Sequence, residues 1–355
     1  MKAFVVLLII AGLAFGAWKM GYVEIGLADP GEGEGGEATD VSADDTPPGL
    51  EGFPGEDADD IVESSGDAAG GPPVWAADLS QAKTRWQAIL EAGGDPTLHA
   101  ETVALSRAFT KVFKAAYDQP GGAALQERLM EQYLRPIADK LFFSRARYED
   151  DESGLVGTYV VESGDVPDSV GRQFGMSYQF LNILRGRQDV EDGDLRLGDR
   201  FKVLHLKDSS GFELRVDKSE FLLDVFLADC FVRRYPVGIG ATETPTPTGT
   251  TFIDARERDP AWFHPKTGER IPHGHPDHVI GDYWIRLNDG ELGVSGIGFH
   301  GYTGEGQAVE AQVSNGCLRM RNEDVAELFN LLPQVLYRDG EFLSRAPKTT
   351  VTIVE

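Results

Sequence analysis

Two cysteines in 355 residues, Cys230 and Cys317, are too few for a disulfide-stapled scaffold and leave either one bridge or two thiols with separate jobs. Basic side chains are scarce too. Thirty-three Lys and Arg stand against 58 Asp and Glu, a formal charge of −25, so a phosphate backbone would meet no positive face and nucleic acid is excluded as a partner. Long apolar runs are missing, with one exception. Residues 3–18 carry no charge between Lys2 and Lys19, which suits a signal-peptide core or a short membrane anchor. Ala14-Phe15-Gly16 is a poor cleavage site, so the anchor reading leads: a span over residues 1–23, with Lys19 snorkelling and Trp18 and Tyr22 at the interface. Either reading places the rest of the chain outside the cytoplasmic membrane.

Residues 29–73 contain fourteen acidic side chains and no basic one, so over half of the net charge sits in one segment. Few large apolar residues interrupt it, and such a stretch cannot bury enough surface to offset its ordering entropy. Residues 24–75 are therefore expected to be a disordered, self-repelling linker.

Helical spacing begins next. Over residues 76–150 a helix ends at Gly93-Gly94, and a second, opening near Asp95-Pro96, lays Leu98, Thr102, Leu105, Phe109, Val112, Phe113 and Ala116 on one stripe. A third follows Pro120-Gly121-Gly122 and carries Leu125, Leu129, Tyr133 and Leu134, which together predict an all-α helical bundle without a catalytic constellation. Residues 157–206 read differently: a β run at Tyr159, two short helical patterns, and a second β run at Phe201, a small α+β module of βααβ order.

From residue 210 to 355 β patterns dominate, at 212–216, 222–227, 231–239, 284–287 and 351–354, parted by Gly, Pro and Asp. They predict a mostly β domain of sandwich or barrel type. Within it His300, in HGYTG, precedes Cys317, in SNGCLRMRNED, by seventeen residues. A thiol with an ordinary pKa of about 8.5 is mostly protonated at neutral pH, so a nucleophilic cysteine needs a base or cation beside it. His300 can supply that. Ser314-Asn315-Gly316 is a turn signal that sets the thiol on a loop, and the amides near Gly316 are candidate oxyanion donors. Taken alone the pair is also compatible with a small buried cysteine.

Two motifs compete. His273, His275 and His278 cluster beside Asp277 in HGHPDH, dense enough to weigh as zinc ligands, but Gly274 and Pro276 deny the cluster a helix, and a polar loop near the site is the preferred reading. No metal and no cofactor is expected. The Thr-Pro run at 244–249 fits a hairpin connection, and Cys230, between two β runs, reads as a packed or partly exposed thiol, with a reactive second cysteine as the alternative.

The blocks YPVGIGATETPTPTGTTFI, HG and SNGCLRMRNED, in that order, resemble the L,D-transpeptidase catalytic domain of the YkuD family, over about 212–355. YVVESGD, GRQFGMSYQFLNIL and LRLGDRFKVL resemble a LysM module. The first resemblance implies Cys317 as nucleophile, His300 as general base and the Gly301 carbonyl as its orienting group. Gly316 falls at the oxyanion region, and Ser314, Asn315 and Arg319 at substrate contacts. Asn315 stands where the family often has a second histidine, and it cannot titrate. The implied partners are peptidoglycan stem peptides. The second resemblance implies binding of glycan strands, with Gly164, Asp165 and Asn182 at the matching positions. Water in place of an amine acceptor would make the enzyme an L,D-carboxypeptidase, and an inert C-terminal domain would leave a non-catalytic wall-binding protein. Oligomeric state is not legible.

Overall fold

The computed structural model describes residues 73–148, 151–335, 337–338, 341–344 and 346–355. The expected membrane segment, 1–23, and nearly all of the acidic linker lie outside them. The linker's last residue is described: Trp75 is buried and starts the first helix, so ordered structure begins just before the expected boundary. Among the described residues no helix is long and apolar enough to cross a membrane.

Four helices come first: α1 (Ala76–Glu91), α2 (Thr102–Ala115), α3 (Gly122–Leu129) and α4 (Arg135–Phe142). α2 buries Val103, Leu105, Phe109, Val112 and Phe113 on one stripe. Its start falls six residues later than the spacing predicts, and Leu98 is 44% exposed instead of sharing that stripe. The cause is local: the Asp95 carboxylate accepts from both the amide and the hydroxyl of Thr97, an Asx turn that competes with helix. Between α3 and α4 the chain widens into a π-turn over Met130–Leu134. Pro136 follows in the first turn of α4, and a proline there has no N–H for an upstream carbonyl.

β1 (Val156–Val160) pairs antiparallel with β2 (Arg200–Leu204), and α5 (Pro167–Phe174) and α6 (Tyr178–Leu184) lie between them in sequence. The rest is mostly β. In chain order come β3 (Phe212–Asp217), β4 (Leu222–Leu227), β5 (Cys230–Pro236), β6 (Ile239–Gly240), β7 (Gly249–Arg258), β8 (Trp262–Phe263), β9 (Arg270–Ile271) and β10 (Tyr283–Leu287). The short helix α7 (Asp289–Leu292) precedes β11 (Gly298–His300), β12 (Gln312–Ser314) and β13 (Leu318–Arg319). Helix α8 (Asn322–Leu331), the ribbon β14 (Tyr337–Arg338) and β15 (Glu341–Phe342), and β16 (Thr350–Val354) complete the chain.

Eight strands form one sheet in the order β13-β11-β10-β7-β16-β3-β4-β5, parallel at β16/β3 and β11/β13 and antiparallel elsewhere. The expectation of a sandwich or barrel resolves into this single curled sheet. Its curl brings the chain just past β5 to the opposite edge, where Gly238 and Arg319 exchange backbone hydrogen bonds. One face carries Leu287, Ile285, Phe299 and Leu318, all fully buried, with Val325 and Leu328 of α8 in the same core. β7 occupies the middle of the sheet, in a stretch where the sequence pattern predicts no strand. Arg256, Glu257 and Arg258 at its end hide the strand pattern.

The helices cover the far edge. Phe113 packs on Phe231 at 5.3 Å, the Thr110 hydroxyl accepts the Phe231 amide at 2.8 Å, and Asp224 accepts from Tyr117 and Arg234 at 2.5 and 2.6 Å. An edge strand presents unpaired donors and acceptors, and here a helical hydroxyl satisfies one of them. The βααβ segment is tied to the large sheet's unit as well, through Ser177 Oγ donating to Asn330 O at 2.5 Å.

Candidate active site

β11 and β13 set the geometry. They pair in parallel with Phe299 opposite Leu318 and His300 opposite Arg319. Side chains alternate along a strand, so Phe299 and Leu318 enter the core while His300 and Arg319 share the other face. Cys317 lies two residues before Arg319. His300 also stands opposite Trp284 of β10. Three neighbouring strands thus bring an indole, an imidazole and a guanidinium onto one face, and Cys317 stands just before the third.

The imidazole is buried, and its Nδ1 lies 2.6 Å from the Gly301 carbonyl. A carbonyl only accepts, so Nδ1 carries the proton and Nε2 keeps a free lone pair. Burial holds His300 well below the usual imidazole range, at about 4, and Arg319 adds in the same direction against the Gly301 bond. The thiol of Cys317 donates to Gly296 O at 3.3 Å. Though the residue keeps partial exposure, its sulfur is closely surrounded, and burial pushes the thiol up to about 11 against the opposing pull of the Gly298 backbone and of Arg319. Both partners are therefore neutral at rest. The sequence-level picture of a thiolate formed by its imidazole neighbour needs that correction.

The thiol loop is stapled internally. Ser314 Oγ donates to Cys317 O at 2.6 Å and accepts the Gly316 amide at 3.1 Å. That hydroxyl holds the loop together from within, by one donated and one accepted bond. Gly316 has φ +103, a region that L side chains rarely adopt. Asn315 is exposed at the loop tip. Arg319 lays its guanidinium over the Tyr302 ring at 4.0 Å, and its buried Nε has no hydrogen-bond partner.

The Thr-Pro run does more than connect. Thr244 Oγ1 donates to Ser314 O at 3.0 Å, and Thr246 Oγ1 donates to Gly316 O at 2.9 Å while accepting the Gly240 amide at 2.9 Å. Stiff prolines flank the buried Thr246 and the exposed Thr244, whose hydroxyls fasten the thiol loop to the chain after β6. The hydroxyl spacing is visible in the sequence, but its targets, seventy residues away, are not.

His273 and His278 keep their rings 5.3 Å apart, but the three histidines take different polar partners. His278 is buried with Nε2 2.9 Å from Pro260 O, and His275 accepts the Asp277 amide. His273 instead joins Asp282 at 2.8 Å and Asp259 at 3.5 Å. Among the described residues these three are the group whose ligand atoms, within 4.8 Å of one another, have the chemistry for a metal. All three are exposed, and the hydrogen bond to Asp282 raises the pKa of His273. Cys230 is fully buried, burial pushes its thiol up to about 11, and it is unpaired.

In the βααβ segment, Gly164 takes φ +93 in the turn after β1, and Asp165 accepts from Tyr159 and from the Glu162 amide at 2.7 Å each. Asn182 is fully buried, donates to Val190 O and Asp192 O at 2.8 Å and accepts from Arg185. It holds the loop before β2 and has nothing left for a ligand, which corrects its placement among glycan contacts.

Residues 212–353 match the family model of the YkuD L,D-transpeptidase catalytic domain. A Bacillus subtilis protein described as L,D-transpeptidase YkuD is 29% identical over 178 residues, half of this chain and 93% of that relative. Another from the same organism, described as L,D-transpeptidase YqjB, is 34% identical over 103 residues, 28% of this chain and 53% of that one. Among solved structures, an Enterococcus faecium L,D-transpeptidase mutant aligns over 41% of this chain and 50% of its own at 17% identity and a TM-score of 0.30. One from Mycobacterium smegmatis aligns over 57% and 93% at 14% and 0.31. The part of this chain that holds His300 and Cys317 is thus, by family model and by relatives, similar to the L,D-transpeptidase catalytic domain.

Proposed function

We propose that this chain is a peptidoglycan L,D-transpeptidase, with Cys317 as nucleophile and His300 as base. What supports the reading is the pairing of β11 with β13: it puts a buried imidazole, bonded through Nδ1 to Gly301 O, in the strand next to the one that the half-buried Cys317 leads into. As sulfur attacks the carbonyl of the stem peptide's third residue, its proton passes to Nε2. The amide C–N bond then breaks, the leaving D-alanine amine takes the proton back, and a thioester remains. A side-chain amine of a neighbouring stem opens the thioester and restores the thiol.

Because both groups rest neutral, proton transfer accompanies attack and does not precede it. A dry site favours this order, since an ion pair formed ahead of attack would have to be buried without water. The Gly316 amide is engaged by Ser314 Oγ, which leaves the Cys317 amide as the candidate donor to the carbonyl oxygen as it becomes an oxyanion. The unpartnered Nε of Arg319 fits a carboxylate or carbonyl of the stem. No metal or organic cofactor enters this chemistry.

The βααβ segment is read as the glycan-binding part. Val160, Val166 and Leu197 are exposed at one end, where Gly198 donates to Val161 O and Asp199 O accepts from Val161. With the N-terminal segment it would hold the enzyme at the cell wall outside the cytoplasmic membrane, anchored through residues 1–23.

The test is direct. Purified protein with disaccharide-tetrapeptide should give cross-linked dimers by mass analysis, tripeptide alone would point to water as acceptor, and Cys317→Ala should form no acyl-enzyme with stem peptide or a carbapenem. Retained turnover in Cys317→Ala would end the proposal.

A further inference from the structure

We propose that Trp284 is a positioning residue of the acyl-transfer site, holding the His300 ring dry and oriented and shielding it from a neighbouring carboxylate. The proposal rests on the reading of Cys317 and His300 given above. Trp284 stands between two polar partners in the sheet: on one side it is the register partner of His300 in β11, on the other of Glu257 in β7. Directly paired residues share a face, so indole, imidazole and the exposed Glu257 carboxylate form one row with the indole in the middle. The indole and imidazole centroids lie 5.8 Å apart with planes tilted by 34°.

The far edge of the same indole covers Gly298. A Cβ built there would sit 2.9 Å from Trp284 Cη2 and Cζ2 and 2.5 Å from Ile285 O. Only glycine lets the ring lie that low. Gly298 is also the residue that the β11/β13 register, carried one step back from Phe299 and Leu318, sets opposite Cys317, and its backbone favours the ionised sulfur. One side chain thus bears on both reacting groups, through the imidazole ring and through the backbone beside the thiol.

The charged groups around His300 sharpen what the indole does. Arg319 of β13 acts against protonation of the ring, and Arg286 of β10, opposite Gly298, is committed to Asp254 at 2.6 Å. From β7, Glu257 would favour protonation. Removing the indole admits water and the field of Glu257, and both move the imidazole toward its ordinary pKa. A protonated His300 cannot accept the proton of Cys317, so the loss must be concentrated at low pH.

The experiment measures carbapenem acylation against pH in the full chain, together with an NMR titration of the His300 ring in Cys317→Ala background. Trp284→Ala should move the acidic limb of acylation from near 4 toward the ordinary imidazole value. That is a loss of about 30-fold at about pH 5 with a much smaller change at about pH 8. Trp284→Phe should keep most of the wild-type profile, and Glu257→Gln added to Trp284→Ala should recover part of it. A folded Trp284→Ala with an unmoved acidic limb and an unmoved ring titration overturns the proposal. Should Trp284→Ala not fold, Trp284→Leu in the NMR titration decides the same question. If the wild-type chain is not acylated at any pH, the acyl-transfer reading fails, and the ring titration still reports on Trp284.

Discussion

Gly238 and Arg319 exchange backbone hydrogen bonds of 2.8 and 2.9 Å across the two ends of one sheet. The strand that follows the thiol is therefore clamped on both sides, by His300 in β11 and by the extension of β5. A Cβ on residue 238 would fall 2.2 Å from Ala308 O, so the close approach requires glycine. Gly238→Ala should cost on the order of 1–3 kcal/mol and lower carbapenem acylation at least about tenfold. Thermal melting and acylation rates check it, and an unchanged rate in a destabilised variant would show that the clamp is not felt at the thiol.

The neutral pair has its own pH signature. His300 titrates near 4, so the base is available above that value and is lost as pH falls through it, while Cys317 keeps its proton up to about 11. Acylation should accordingly be nearly flat between about pH 5 and about pH 9. A rate rising tenfold per unit through that range would instead report a minor thiolate form as the reacting species.

Away from the site, Lys202 is buried with Nζ donating to Lys140 O at 2.8 Å, and burial lowers its pKa to about 7. The folded value lies below the ordinary 10.5, so the unfolded chain holds the extra proton between these limits and the destabilisation is complete below 7 and gone above 10.5. Lys202→Met should therefore melt a few °C above wild type at about pH 6, with the difference shrinking as pH rises toward about 10. Melting curves across pH decide it; a difference independent of pH would assign the effect to packing.

Asp259, His273 and Asp282 offer a nitrogen and two carboxylates, but all three are exposed and His273 is already hydrogen-bonded to Asp282. Chelation by EDTA should leave acylation and melting temperature unchanged. Loss of rate that zinc restores would give these three residues a metal.

Much of the molecule is visible in local pattern. The stripe of α2, the runs at β3, β4, β10 and β16, and the turn at Ser314-Asn315-Gly316 all follow from side-chain period and turn chemistry over a few residues. β7 is not visible. It is central, yet its last residues carry Arg and Glu because that end approaches the ion pairs around Asp259, so its composition mimics an exposed loop. The Asx turn at Asp95 likewise displaces a helix start that apolar spacing alone sets too early.

The sequence by itself determined which chemistry is available: a thiol after a glycine in a turn, a histidine followed by a glycine, and a concentration of acidic side chains over residues 29–73. Tertiary structure alone decided which groups meet. Only the parallel register of β11 and β13 puts His300 in the strand next to the one that follows Cys317, and burial widens the pH range over which both groups are neutral. Thr244, Thr246 and Trp284 enter the site through pairings between segments distant in the chain. Register and desolvation belong to the folded assembly of strands, and no window of consecutive residues contains them.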